Sequence, residues 1–223
     1  MRIHNAYEVV AFDEAWRSLG LNRHCLGLDR FFQQSNSGLS DFRVAHFQAD
    51  HHHRSDIELF SWLWTHKFAG IVVDGNLTLD ANLEDDSFGK ASAFLLVRGD
   101  LRAKTITLAG ADVVVLGDVV ADGPVFNTYK HGCFEVAGSL RASHLVTDEH
   151  MTLVHGEVPS RAWALGYVDA SMINKLRQCG SYAEILTTEA AAEFLDGNGG
   201  FDDPVGNRAI LAALRAGRKV LRD

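Results

Sequence analysis

The sequence predicts a mainly β protein with some helix, a short single-chain β-solenoid of about five coils closed by helical segments at both ends. Three observations predict it. Five aliphatic runs share one motif, apolar residues followed by Gly, a small polar or acidic residue, and Leu or Val. The runs recur in near-constant register. The segments on either side show helical capping and helical spacing instead.

The five runs are Ile71-Val72-Val73-Asp74-Gly75-Asn76-Leu77, Leu95-Leu96-Val97-Arg98-Gly99-Asp100-Leu101, Val113-Val114-Val115-Leu116-Gly117-Asp118-Val119, Phe134-Glu135-Val136-Ala137-Gly138-Ser139-Leu140 and Thr152-Leu153-Val154-His155-Gly156-Glu157-Val158. Their glycines are 24, 18, 21 and 18 residues apart. A period near 18 is too short for a helical-hairpin repeat and suits one coil of three short strands and three corners. Each coil presents a row of inward aliphatic side chains that the next coil buries. Glycine suits a tight corner through its access to positive φ. The two longer spacings imply side loops, one over 82–90 with Glu84, Asp85 and Asp86, the other over 122–132 with Pro124, Tyr129 and His131. The competing reading is an antiparallel sandwich, which also gives short strands and regular turns. The repeated register favours the solenoid.

The flanks are read as caps, giving an N-terminal helical cap over 1–67, the solenoid over 68–158 and a C-terminal helical cap over 159–223. Ser55-Asp56-Ile57-Glu58 has the form of a capping box, and Ile57, Phe60 and Trp64 follow at helical spacing. This predicts a helix over 56–67 whose aromatic face plugs the open end. A second helix is expected over 13–19, ending near Gly20. Asp169 is expected to cap a helix ending at Gly180, and Ser181-Tyr182-Ala183-Glu184 is a second capping-box sequence. Ile210, Leu211, Leu214 and Leu221 mark a basic helix after Pro204. Trp62, Trp64 and Trp163 are expected in the core. Bare solenoid ends are open sheet edges, so caps argue for an object that does not polymerise.

Composition narrows the function classes. The formal net charge is −8, and an acidic surface repels phosphate backbones and anionic lipid. A basic protein partner is favoured over nucleic acid or membrane. The three cysteines, Cys25, Cys133 and Cys179, form no CxxC pair. A disulfide framework is not expected, which fits a reducing cytoplasm. No apolar run approaches the roughly 20 residues that span a bilayer, and the N-terminus lacks a signal peptide's apolar stretch.

Few residues suggest chemistry. Asp50-His51-His52-His53 with Asp56 offers metal-ligand types, and His51, His53 and Asp56 are the candidate ligands. Adjacent histidines point different ways on a strand or helix, so all three do not serve one ion. A polar linker is the favoured reading and no cofactor is expected. The 196–202 segment resembles the start of a calcium loop, yet holds Phe201 and Asn207 where an EF-hand needs Gly and Glu. Nucleotide-binding glycine fingerprints, phosphate loops, HExxH and GxSxG are absent from the sequence. What remains is surface. Asp80, Glu84, Asp85 and Asp86 form an expected acidic patch, and Tyr129 and His131 an aromatic anchor, all as partner-binding candidates.

The stretch from Gly75 to Val158 resembles the bactofilins, in which aliphatic runs alternate with Gly-Asp or Gly-Asn corners. That resemblance implies a β-helix core and a polymer-forming scaffold. The chain departs from it in carrying some 65 ordered-looking residues on each side of the repeats. In general character, an acidic solenoid of this size is similar to the immunity proteins of bacterial polymorphic toxin systems. That similarity implies a cytoplasmic monomer or small homo-oligomer. Its protein partner would be a secreted toxin domain of the Rhs or type VI effector type, which it occludes without catalysis. A bactofilin-like scaffold is the alternative, and a metal-dependent enzyme using the Asp50–His53 cluster the second alternative.

Overall fold

Strands of two to six residues, separated by corners, leave no length for a hairpin sheet but enough for one side of a coil. The computed structural model describes residues 7–21, 42–87, 93–128, 131–195 and 205–223, excluding the side chains of 63–64 and 205–207. The chain opens with β1 (Glu8–Ala11) and α1 (Phe12–Ser18). The first coil is β2 (Arg43–Phe47), β3 (His51–His53) and β4 (Ile57–Glu58), followed by α2 (Leu59–His66). The second is β5 (Phe68–Val73), β6 (Leu77–Leu79) and β7 (Leu83–Glu84), and the third β8 (Phe94–Val97), β9 (Leu101–Ala103) and β10 (Ile106–Leu108). The fourth is β11 (Asp112–Val115), β12 (Val119–Ala121) and β13 (Val125–Thr128), and the fifth β14 (Cys133–Val136), β15 (Leu140–Arg141) and β16 (Leu145–Asp148). A partial sixth coil has β17 (Met151–Val154) and β18 (Ala162–Leu165), and β19 (Arg177–Gln178) follows. The chain ends with a 3₁₀ turn at Tyr182–Glu184, α3 (Thr188–Phe194) and α4 (Val205–Arg215).

Strands from successive coils stack in parallel, forming three sheets of seven, five and seven strands. Sheet A is β1-β2-β5-β8-β11-β14-β17, sheet B is β3-β6-β9-β12-β15, and sheet C is β4-β7-β10-β13-β16-β18-β19. β1 alone runs antiparallel, on the outer edge of β2. The structure is the predicted solenoid and not a sandwich. Its coils begin at Arg43, well inside the stretch read as a helical cap, and sheet C continues to Gln178, past residue 158.

The interior is an aliphatic column. Ile71, Leu95, Val113 and Phe134 form one stacked row, and Leu77, Leu101, Val119 and Leu140 another, all at most 2% exposed. Burying such rows supplies most of the stabilisation, at roughly 25 cal/mol per Å² of apolar area.

The glycines of the repeat are needed for a different reason from the one expected. Positive φ among described glycines occurs at Gly20, Gly166 and Gly217, not at the repeat positions. What the corner demands is space. Gly99, Gly117, Gly138 and Gly156 each donate N–H to the carbonyl of the repeat glycine one coil earlier, at 2.8–3.0 Å. A Cβ at Gly117 would stand 2.7 Å from the Gly99 carbonyl oxygen and closer still to the Asp100 carboxylate.

The next residue builds a second ladder. Asp50 Oδ1 accepts from Asn76 N–H, Asn76 Oδ1 from Asp100 N–H, Asp100 Oδ1 from Asp118 N–H and Asp118 Oδ1 from Ser139 N–H, each at 2.8 Å. Ser139 Oγ then accepts from Glu157 N–H at 3.1 Å. The small polar residue of the motif is therefore a hydrogen-bond acceptor for the next coil.

The helical flanks differ from expectation in place and extent. α1 forms where predicted. It packs on the outer face of sheet A, where Phe12, Ala15 and Leu21 meet Val44, Val72, Leu96 and Val114. The helix predicted over 56–67 begins at Leu59, because Ile57 and Glu58 pair in sheet C. Its cap is the Glu58 carboxylate, which accepts from Phe60 and Ser61 N–H at 3.0 and 2.7 Å. Trp62 does help close the first coil, packing on Phe68, which in turn meets Tyr7. No α-helix forms over 169–180. Asp169 instead holds a turn by accepting from Ser171 N–H and Oγ, and β19 follows. Ser181 makes no side-chain cap, whereas Glu184 accepts from Gly180 N–H at 2.7 Å. α4 lies along the outer face of sheet C, where Ile210, Leu211 and Leu214 pack with Phe126, Val146 and Trp163.

The C-terminal end is stopped by single side chains. Lys175 Nζ donates to the carbonyls of Val154, His155 and Gly156 at 2.6, 3.1 and 2.7 Å. Gly156 is the last rung of the glycine ladder, so the ammonium satisfies acceptors that a further coil would otherwise use. Met172, fully buried, takes the Val154 N–H on its sulfur.

Candidate partner-binding surface

Two of the three solenoid faces are covered by the chain itself, sheet A by α1 and sheet C by the 3₁₀ turn, α3 and α4. Among the described residues nothing covers sheet B. Its outward row is His52, Thr78, Arg102, Val120 and Arg141, one side chain per coil. None of these five belongs to a buried cluster, and His52, Arg102 and Arg141 are exposed. The chain forms the row because sheet B strands alternate, inward Leu, Val or Ala against outward Thr, Arg or Val.

Charges on this face are held in place. His52 Nε2 lies 2.8 Å from Asp80 Oδ1, and Arg102 Nη2 donates to Asp122 Oδ1 at 2.9 Å. Both pairs are more than half exposed, so their worth to stability is small, and their effect is to fix the side chains. Along the neighbouring corner run Asp50, Asp100 and Asp118, rigidly aligned by the ladder. Arg141 has no ion-pair partner among the described residues.

The acidic patch expected on the first loop is not a patch. Asp80 is exposed beside His52. Glu84 is buried on the outer side of sheet C, with its Oε2 3.2 Å from Arg215 Nε of α4. Burial, the largest influence, raises the Glu84 pKa against the opposing effect of Arg215. Asp85 is fully buried and accepts from Ala109 and Ala111 N–H at 3.2 and 2.8 Å and from Ser87 Oγ at 2.9 Å. Asp86 is half-buried. Glu84 and Asp85 are thus not open to a partner, because Glu84 lies in β7 and Asp85 is buried directly after it. Likewise the 122–132 segment contains β13. His131 is exposed, and Tyr129 lies outside the described residues, as do Cys25 and the 196–202 segment.

The histidine cluster is also divided. His52 points outward and His51 and His53 inward. Asp50 serves the ladder, and Asp56 Oδ1 accepts from Asn82 N–H at 2.9 Å. Among the described residues no group of three or more His, Cys, Asp or Glu converges to hold a metal ion.

Sequence reasoning missed Arg102, Arg141 and Asp122. The signal for the two arginines was present, since each stands three residues after a repeat glycine, Gly99 or Gly138, and beside an inward Leu; Asp122 carried no such signal. Cys133 and Cys179 are both buried. No helix among the described residues is long and apolar enough to cross a membrane. No family model matches the chain, and neither a curated protein nor a solved structure matches it.

Proposed function

We propose that this chain is a non-catalytic protein-binding module of the immunity type, which docks on a toxin or effector domain and occludes it. The observation that carries the reading is the distribution of cover. Among the described residues the chain lays its own segments on sheets A and C and stops its last coil with Lys175, yet leaves sheet B uncovered with its charges ordered. A rigid face with fixed charges is suited to recognition, because little side-chain freedom is lost on docking. The net charge of −8 favours a partner of net basic charge at long range, whereas Arg102 and Arg141 on the face itself call for acidic groups at the contact. The stopped end weighs against a bactofilin-like scaffold, which needs free terminal rungs.

A standard interface buries about 1,600 Å² in total, or roughly 800 Å² on each partner. Five stacked strands spaced about 4.8 Å apart supply only part of that, so the corners with Asp80, Asp100, Asp118 and Asp122 join the contact. Expression of the chain beside the product of its neighbouring gene tests the proposal. Relief of that product's toxicity and co-elution as a stoichiometric complex are expected. Growth arrest that persists in the presence of soluble, folded chain would overturn it.

A further inference from the structure

The first coil breaks the aliphatic column in one place. β3 lies in register with β6, so His51 stands over Leu77 and His53 over Leu79. Below them the Leu77 row continues as Leu101, Val119 and Leu140, and Ala103 pairs with Ala121 on the other inward side of sheet B. Two imidazoles thus occupy positions that every later coil gives to aliphatic side chains. They are two residues apart on one strand, which places both on one face.

The two rings lie at a useful separation, 5.9 Å between centroids, with their planes inclined by 38°. Imidazole nitrogens bind Zn²⁺ at roughly 2.0–2.1 Å, and two rings on one ion then have centres about 5–6 Å apart. Each ring is already held. His51 stacks on Phe47 at 4.0 Å, and His53 Nε2 is hydrogen-bonded to Ser55 Oγ at 3.0 Å, which leaves Nδ1 for a ligand. Burial, with a smaller contribution from the neighbouring histidines, lowers the pKa of both, so both are neutral bases near neutral pH. His52, on the opposite face with Asp80, takes no part.

We propose that His51 and His53 form a two-histidine site for a borderline divalent transition ion, Zn²⁺ or Cu²⁺, at the N-terminal mouth of the column. Two protein ligands make an open site whose remaining positions belong to water. Neutral imidazole selects these ions over Mg²⁺ and Ca²⁺, which require oxygen. Loading adds a cross-link within β3, the first strand of sheet B, and stabilises the native state by mass action.

The test uses the untagged full chain, stripped with chelator and titrated at pH 7.5 with ZnCl₂ and, separately, CuCl₂ by calorimetry. One equivalent is expected to bind, with a raised Tm. The variants are H51L and H53L, chosen because leucine matches the row beneath and keeps the fold, which circular dichroism checks. Each is expected to weaken binding by about tenfold or more, since loss of one of two protein ligands removes half the anchoring set, while H52A binds as the parent does. Absence of binding by either ion up to about 100 μM, where even a site of about 5.5 kcal/mol would half fill, overturns the proposal. So does binding that survives the H51L/H53L double variant.

Discussion

Two corners of the solenoid solve the same problem in opposite ways. Between sheets A and B the second to fifth coils place a glycine two residues past the strand and a polar acceptor next, and the first coil has Ala49 and Asp50 there. Between sheets C and A nothing repeats. There the chain uses a long segment with Asp85 in one coil, the short turn 109–111 in the next, Gly132 in another, and Glu149 with φ +50° beside His150 in the last. The A–B corner is built from contacts with the same position one coil away. The C–A corner is built from single polar groups that reach unlike positions, as when Asp85 caps Ala109 and Ala111. Uneven glycine spacing in the sequence arises almost wholly at the second corner.

The contrast predicts which substitution is worst. Gly117→Ala forces a methyl into the Gly99 carbonyl and the Asp100 carboxylate. It should cost roughly 3 kcal/mol, at the upper end of overpacking penalties. Asp100→Ala should cost only about 1 kcal/mol, since it frees an exposed N–H that water can satisfy. Urea unfolding of both variants measures the order. A Gly117→Ala protein as stable as the parent would show that the corner has slack.

The next effect is on acid stability and belongs to the C–A corner. His150 is fully buried, and burial pushes its pKa down to about 3. In the unfolded chain it titrates near 6.5. Between those values the unfolded state holds a proton that the native state refuses, so stability is complete above pH 6.5 and falls as pH drops toward 3. The loss attributable to His150 is on the order of 3 kcal/mol by pH 4. His51, His53 and His144 are shifted in the same direction. Glu58 and Glu84 act oppositely, because burial raises their pKa and their contribution fades as pH rises above about 4.5. Denaturant midpoints at pH 7.5, 6 and 5 should therefore fall in that order, with a shallower fall in His150→Gln.

How much of this was legible follows from the same contrast. A corner that contacts its own image must repeat its residues, and that repetition gave away the coil, the glycine and the inward aliphatic rows. Glu84 and Asp85 look like a solvated acidic loop because their partners, Arg215 and the Ala109 and Ala111 amides, are distant in sequence and carry no motif. The covering of faces was equally hidden. Helical spacing in α1 and α4 reveals an apolar stripe but not whether it meets the end of a column or its side, and here both lie on sides. Ser55 and Glu58 matched a capping box, yet tertiary pairing of Ile57 with Leu83 took two of those residues into a strand. On the candidate surface, Arg102 and Arg141 are legible as alternation, but one exposed arginine per coil carries no motif that marks a site.

Lys175 should show a smaller effect on stability, together with one on association. Lys175→Met keeps the packing stem and removes the three N–H donors from Val154, His155 and Gly156. These carbonyls are partly solvated, so the expected loss is about 1–2 kcal/mol, as for hydrogen bonds to a charged group. The last rung then presents free acceptors at a sheet edge. Light scattering at rising concentration should detect association in Lys175→Met and none in the parent. A strictly monomeric variant would mean that Met172 and the 166–176 segment block the end unaided.

The smallest stability effect, and the sharpest functional one, is expected on sheet B. Arg102→Glu and Arg141→Glu alter exposed side chains outside every buried cluster, so each should change stability by less than about 0.5 kcal/mol. Arg102→Glu also places a carboxylate opposite Asp122, its present ion-pair partner. If sheet B is the docking face, the double variant should lose affinity for the partner by tenfold or more while unfolding at the parental urea concentration. A tenfold loss corresponds to about 1.4 kcal/mol, well above anything the fold itself would register. Charge reversals on α1, for example Asp13→Lys and Arg17→Glu, leave sheet B untouched and should bind as the parent does. Were the α1 variants to lose affinity and the sheet B variants to keep it, the covered face would be the recognition surface and the bare one merely solvent-facing.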